Sequence, residues 1–214
     1  MSPRRLTRAE SKEATRAGLL ASAARVFARR GFHGASVEEV AEDAGFSKGA
    51  VYSNFRSKED LFLALLDEHF DRRLQAIRRV MAKPEPPGTQ ARRSGIDFVA
   101  SMAADPDWLA LFFEFWVHAR RNPAVRRRLV ARVRALRAAV AEIMAERAAE
   151  LGAELPIPAE RLAAMTFAMA TGVAAHRTLD PAAVPDDLYG TMLETFFLGV
   201  RALVEERGAV ESVI

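Results

Sequence analysis

Apolar residues recur along this chain in short helical stripes, and the most sharply marked group lies between Ser36 and Asp60. Val37, Val40, Ala41 and Ala44 keep the three- and four-residue spacing of one buried helix face. Ser36 stands at the N-cap with Glu39 three residues on, the pattern of a capping box. Gly45 follows Ala44, where a left-handed residue commonly ends a helix. Ser47 caps a second helix, Lys48 to about Phe55, and Ser57 caps a third with Asp60 in its first turn. In the second helix Val51 and Phe55 point inward; Lys48 with Tyr52, and Gly49 with Ser53, share the outer side. A small Ala41 for a close crossing, Gly45 for the turn and Val51 to fill the angle make the spacing of a helix-turn-helix.

The flanking pattern is helical too. Leu20, Ala23, Ala24 and Phe27 mark a first helix over about Lys12–Arg30, closed by Gly31. Leu61, Phe62, Leu65, Leu66, His69 and Phe70 give a wide apolar side to a helix over Lys58–Met81, about 36 Å long at 1.5 Å per residue. The proline-rich run Lys83 to Gly88 stops it and reads as a loop. Beyond lie helices at about Gln90–Ala104, Pro106–Arg121, Pro123–Leu151, Ala159–Leu179 and Asp186–Arg207, with no alternating strand pattern. The prediction is an all-α chain. Residues 1–57 hold an N-terminal arm and helix-turn-helix, 58–81 a connecting helix, and 82–214 a helical ligand-binding and dimerisation domain.

The segment ASAARVFARRGFHGASVEEVAEDAGFSKGAVYSNFRSKEDLFLALL resembles the DNA-binding domain of TetR/AcrR-family transcriptional regulators, with SKGAVYSNFRSKEDL as its most diagnostic part. The resemblance covers about Thr15 to Phe70, the first third of the chain. It implies a regulator, in the repressor sense, that binds a pseudo-palindromic operator in double-stranded DNA as a homodimer. A small-molecule inducer then releases it. Ser36, Ser47, Lys48, Gly49, Tyr52, Ser53 and Lys58 are the candidate DNA-binding residues. The outer side of the second helix suits a major groove, where a recognition helix meets base edges. Lys48 suits a base or a phosphate. Lys58 stands in the first turn of its helix, where free N–H groups favour an anion, so a phosphate held by Lys58 and Tyr52 is expected.

Charge sharpens this picture more than composition does. The net charge is only +3, but Arg4, Arg5, Arg8, Lys12, Arg16, Arg25, Arg29 and Arg30 precede Gly31, against Glu10 and Glu13. A basic stretch beside a helix-turn-helix is the footprint of a phosphate-binding surface. The first residues read equally as a DNA-contacting arm or a solvated tail. Arginines opposite the apolar stripe of the helix from Pro123 read as a solvated face. The chain has no cysteine, which excludes disulfides, thiolate zinc sites and a cysteine nucleophile. Its longest uncharged apolar run, Ala163 to Ala175, is well short of the ~20 residues of a membrane span. A cytoplasmic protein is expected, with no membrane partner, metal or cofactor. No nucleophile elbow, phosphate loop or zinc signature is present, so an enzyme is not expected.

Two further groups stand out. The helix from Pro106 has aromatics in nearly every direction, and Phe98, Met102, Trp108, Phe112, Phe113, Trp116, Met165 and Met169 are candidate walls of a pocket for a hydrophobic or amphipathic ligand, with His118 as a polar group. Each also reads as plain core. In the last two helices Ala164, Ala168 and Gly172 permit a close helix approach, and Leu193, Phe196, Phe197 and Val200 widen the apolar surface beyond one stripe. These are candidate dimer contacts. The competing reading is a non-inducible or architectural DNA-binding protein that shares the reading head and has no pocket.

Overall fold

The computed structural model describes residues 7–211, with side chains to 203. The described residues form α1 (Arg8–Gly34), α2 (Val37–Ala44), α3 (Lys48–Asn54), α4 (Lys58–Met81), α5 (Pro87–Ala104), α6 (Pro106–Arg121), α7 (Pro123–Glu150), α8 (Ala159–Leu179) and α9 (Leu188–Glu211). A 3-10 turn, Pro181–Ala183, precedes α9. The chain is all-α, as its periodicity predicts. The basic residues Arg4 and Arg5 lie outside the described part. α5 begins at Pro87, inside the stretch read as a loop, because proline fits the first turn of a helix, where its missing N–H has no partner to lose. No described helix is long and apolar enough to cross a membrane.

Contacts divide the chain into two compact units. The first comprises Met1–His69 and Ala110–Leu129, and the second Phe70–Leu109 and Val130–Ile214. This differs from a cut at 57 and 81. The end of α6 and the start of α7 join the helix-turn-helix, and α4 contributes residues to both units.

The physical reason for the first unit lies in its aromatic core. Phe27, Phe32, Phe62 and Phe115 are all fully buried. Phe115 of α6 stacks on Phe62 of α4 at 4.1 Å between ring centroids and meets Phe32 edge-on at 4.9 Å. Leu19, Val26, Val40, Val51 and Leu66 fill the surroundings. α1 bends at Gly31, whose φ of 69° and ψ of 173° lie outside the helical region. The bend turns the Phe32 N–H onto the Glu114 carboxylate of α6, at 2.8 Å. Arg128 at the start of α7 pairs with Asp60 of α4.

The second unit is centred on the crossing of α5 and α9. Gly95 and Gly190 meet there so closely that a Cβ on Gly95 would lie 2.5 Å from the Gly190 nitrogen. Ala91, Val99, Val173, Val184, Tyr189 and Leu193 form the buried cluster around them. The Tyr189 hydroxyl donates to the Thr166 carbonyl of α8 at 2.9 Å, and burial raises its pKa to about 12. Gln90, fully buried, donates to the carbonyls of Met81 and Lys83, so the end of α4 is capped from α5. Arg92 bridges to Asp187 and Glu194 on the far side.

The candidate dimer residues differ in burial within the chain. Leu193 and Val200 are buried within the chain itself, because the α5–α9 crossing turns that row of α9 inward. Phe196, Phe197 and Ala164 are half-buried, whereas Ala168 and Gly172 are exposed. Among the described residues of α8 and α9, the large exposed apolar ones are Met165, Leu179, Leu198 and Leu203.

Candidate nucleic-acid interface

Local caps build the reading head. The Ser36 hydroxyl accepts from the Glu39 N–H at 3.1 Å, and the Glu39 carboxylate accepts from the Ser36 N–H at 3.0 Å. Gly45 closes α2 with φ 69° and ψ 24°, a left-handed conformation that costs glycine little. The Ser47 hydroxyl then accepts from the Ala50 N–H at 3.2 Å. α2 and α3 meet across a short turn, with Val51 and Phe55 buried beneath. α3 therefore turns Lys48, Gly49, Tyr52 and Ser53 outward, all exposed. A Cβ on Gly49 would meet nothing nearer than the Ser47 hydroxyl at 3.7 Å, so this face is open. The sequence-predicted cluster is thus brought together at these four residues.

Ser36 and Ser47 cap α2 and α3 through their hydroxyl oxygens, as their positions in the sequence predict. The Lys58 ammonium donates to the carbonyls of His33 (3.2 Å) and Ala35 (2.8 Å) and sits 4.8 Å from the Phe32 ring centroid. It ties the end of α1 to α4 through two of its three N–H donors. The unsatisfied carbonyls at a helix end attract a cation.

The basic residues of α1 divide by partner. Arg25 and Arg29 both bond Asp43 of α2, which also accepts from the Ser22 hydroxyl at 2.7 Å. These partners hold the Asp43 carboxyl well below the usual carboxylate range, the serine hydrogen bond foremost. Arg30 pairs with Glu39. Lys12 and Arg16 instead line a shallow notch of about 380 Å³ with Ala9, Glu13, Ser53 and Asn54. The Arg16 guanidinium lies 4.5 Å from the Phe55 ring centroid, so it is oriented at the edge of the recognition helix. Lys12 and Arg16 are one turn apart on α1.

A residue outside the sequence-derived list also reaches this surface. Glu38, in the first turn of α2, forms an ion pair with Lys48. The hydrogen bond lowers the Glu38 pKa and raises that of Lys48. Opposite charges flanking the helix-turn-helix turn were the only available sign of it.

The pocket candidates are divided between the two compact units. Phe98 and Met169 pack on the buried cluster of the second unit, and Met102 is buried there. Trp108 is half-buried. Phe112, Phe113 and Trp116 belong to the first unit, where their rings lie within 6.3 Å of one another and Trp116 is 46% exposed. Met165 is exposed on α8. His118 is drawn into the first unit. Its Nε2 lies 3.2 Å from the Glu59 carboxylate, and its ring packs 4.8 Å from Phe32. Among the described residues no group of histidine and carboxylate side chains is arranged to hold a metal.

Comparison with known proteins agrees with this head. A family model described as bacterial regulatory proteins of the tetR family matches residues 19–65. A second, described as BetI-type transcriptional repressor, C-terminal, matches residues 87–200, more than half of the chain. The chain belongs to the TetR family of bacterial regulatory proteins. This TetR-family chain is similar to the HTH-type transcriptional repressor AcnR of Corynebacterium diphtheriae, with 34% identity over 137 residues. That match spans 63% of this chain and 65% of AcnR, just under two-thirds of the relative. The fold is similar to the fatty acid degradation regulator FadR from Bacillus halodurans, with a TM-score of 0.71 at 19% identity over 92% of this chain and 97% of that one. It is also similar to FadR from Bacillus subtilis, solved in complex with stearoyl-CoA, with a TM-score of 0.66 at 16% identity over 88% and 97% of the two chains.

Proposed function

We propose that this TetR-family chain is a cytoplasmic, homodimeric repressor that binds a pseudo-palindromic operator in double-stranded DNA and is released by a hydrophobic or amphipathic small molecule. One observation carries the reading. α3 holds its apolar residues beneath it and turns Lys48, Gly49, Tyr52 and Ser53 outward on an open face. A helix so presented enters a major groove, and two copies on a twofold axis read two half-sites. The notch with Lys12 and Arg16 lies beside that face and supplies cations for the flanking phosphates. The repressor sense draws on AcnR and on the BetI-type C-terminal region. Ligand release draws on the stearoyl-CoA complex of the Bacillus subtilis FadR.

In this reading residues 1–57 form the reading head, 58–81 the connecting helix and 82–214 the ligand-binding and dimerisation region. α4 runs unbroken from Lys58 to Met81 and contributes to both compact units, so a shift at its far end is felt at the head. Mobility-shift titration at low ionic strength, with the DNA upstream of its own gene and with random fragments, tests the core claim. A retarded complex that small amphipathic ligands dissolve is the expected result. No complex on any fragment would overturn it. Linkage adds a second requirement: a ligand that weakens operator binding must itself bind more weakly to the operator complex.

A further inference from the structure

The recognition face carries less net charge than its sequence indicates. Lys48 is its single cation, and Glu38 from the preceding helix neutralises it. Both side chains are about half exposed, at 57% and 49%, so the pair is reachable from outside. The Lys48 ammonium also lies 5.8 Å from the Tyr52 ring centroid. Ser53 has committed its hydroxyl hydrogen to the Ala50 carbonyl. A carboxylate on a DNA-reading face is repelled by every phosphate around it. It gains only where a base offers a donor, and in the major groove those donors are cytosine N4 and adenine N6.

The order of groups along each base-pair edge discriminates between these two. A G·C edge runs acceptor, acceptor, donor: guanine N7, guanine O6, cytosine N4. An A·T edge runs acceptor, donor, acceptor, methyl. A cation joined to an anion fits the first sequence. The ammonium covers two adjacent acceptors, and the carboxylate reaches a donor at the end of the row. On A·T the donor is flanked by acceptors on both sides, which repel the carboxylate. We propose that the Glu38–Lys48 ion pair reads a single G·C base pair in each half-site: Lys48 donates to guanine N7 and O6, and Glu38 accepts from the N4 amino group of the paired cytosine. The inference rests on the DNA-binding reading above. It makes Glu38 a specificity-determining residue that lowers affinity for DNA in general and raises discrimination at one position.

The test uses the full chain as wild type, Glu38→Gln and Lys48→Ala, each selecting duplexes from a random pool. Thermal unfolding confirms that all three are folded. Dissociation constants are then measured on the wild-type-selected duplex, on its variants at each position and on random duplex. The wild type is expected to prefer G·C by about tenfold or more at one position of each half-site. Glu38→Gln is expected to reduce that preference below threefold, to leave other positions unchanged and to bind random duplex more tightly. Lys48→Ala is expected to lose the same position. A Glu38→Gln protein that keeps the preference, or two variants that relax different positions, would overturn the pair as a reader. A wild type that enriches no sequence would overturn the regulator reading itself, and the inference with it.

Discussion

Gly31 and Glu114 show how one backbone conformation fixes a junction. Gly31 holds φ 69° and ψ 173°, a region essentially closed to side-chain-bearing residues. A Cβ there would also lie 2.8 Å from a Glu114 carboxylate oxygen, the group that accepts the Phe32 N–H. Gly31→Ala therefore strains the backbone and displaces that acceptor together. We expect a loss of about 2–6 kcal/mol in urea unfolding, the sum of a backbone outlier and a buried N–H left unpaired. Glu114→Gln retains an oxygen for the N–H and is expected to cost much less. Equal losses in the two variants would contradict this assignment of roles. Gly31 was readable from sequence as a break in α1, although the helix resumes beyond it to Gly34. Glu114 was not, because its partner is a backbone group 82 residues away.

At the scale of elements, one carboxylate of α2 gathers three side chains of α1. Asp43 accepts from Ser22, Arg25 and Arg29, and these partners depress its pKa far below the usual value. A depressed carboxyl stabilises the fold fully above its unfolded pKa, near 4, and loses that contribution as pH falls toward its folded value. Asp43→Asn is thus expected to be less stable than wild type at pH 7. The gap should narrow steadily in chemical unfolding below about pH 4. A gap independent of pH would assign the effect to packing. The helices themselves were legible because their signals are local: the Ser36–Glu39 box, the Gly45 turn and the proline starts of α6 and α7 stand as expected. What α6 packs against was not legible. Its aromatics surround the axis, so periodicity shows burial without naming the partner. Phe115 and His118 join the reading head, while Trp116, next to Phe115 in sequence, is 46% exposed. The carbonyl partners of Lys58, His33 and Ala35, were not legible for a related reason: they lie more than twenty residues upstream.

For the whole molecule, the proposed twofold assembly needs a surface that one chain leaves uncovered. The α5–α9 crossing consumes Leu193 and Val200, so the dimer must use another side of these helices. The exposed side of α8 carries Met165, Ala168 and Gly172, and a Cβ added to Gly172 would meet nothing within 4 Å. On α9, Leu198 is 55% exposed and Gly199 is similarly open. Small residues beside large apolar ones allow a second pair of helices to approach closely and bury the remainder. In an isologous interface each substitution occurs twice, so Leu198→Arg places two like charges in one apolar contact. Leu198 stands free of the chain's own core, and its replacement should leave thermal unfolding of the monomer unit nearly unchanged. We expect wild type to sediment as a dimer at micromolar concentration and Leu198→Arg as a monomer. Its affinity for a full palindromic site should then fall to that for a single half-site, since two linked heads gain from effective concentration and one does not. A Leu198→Arg protein that remains dimeric and keeps its full-site affinity would move the interface off this face of α9.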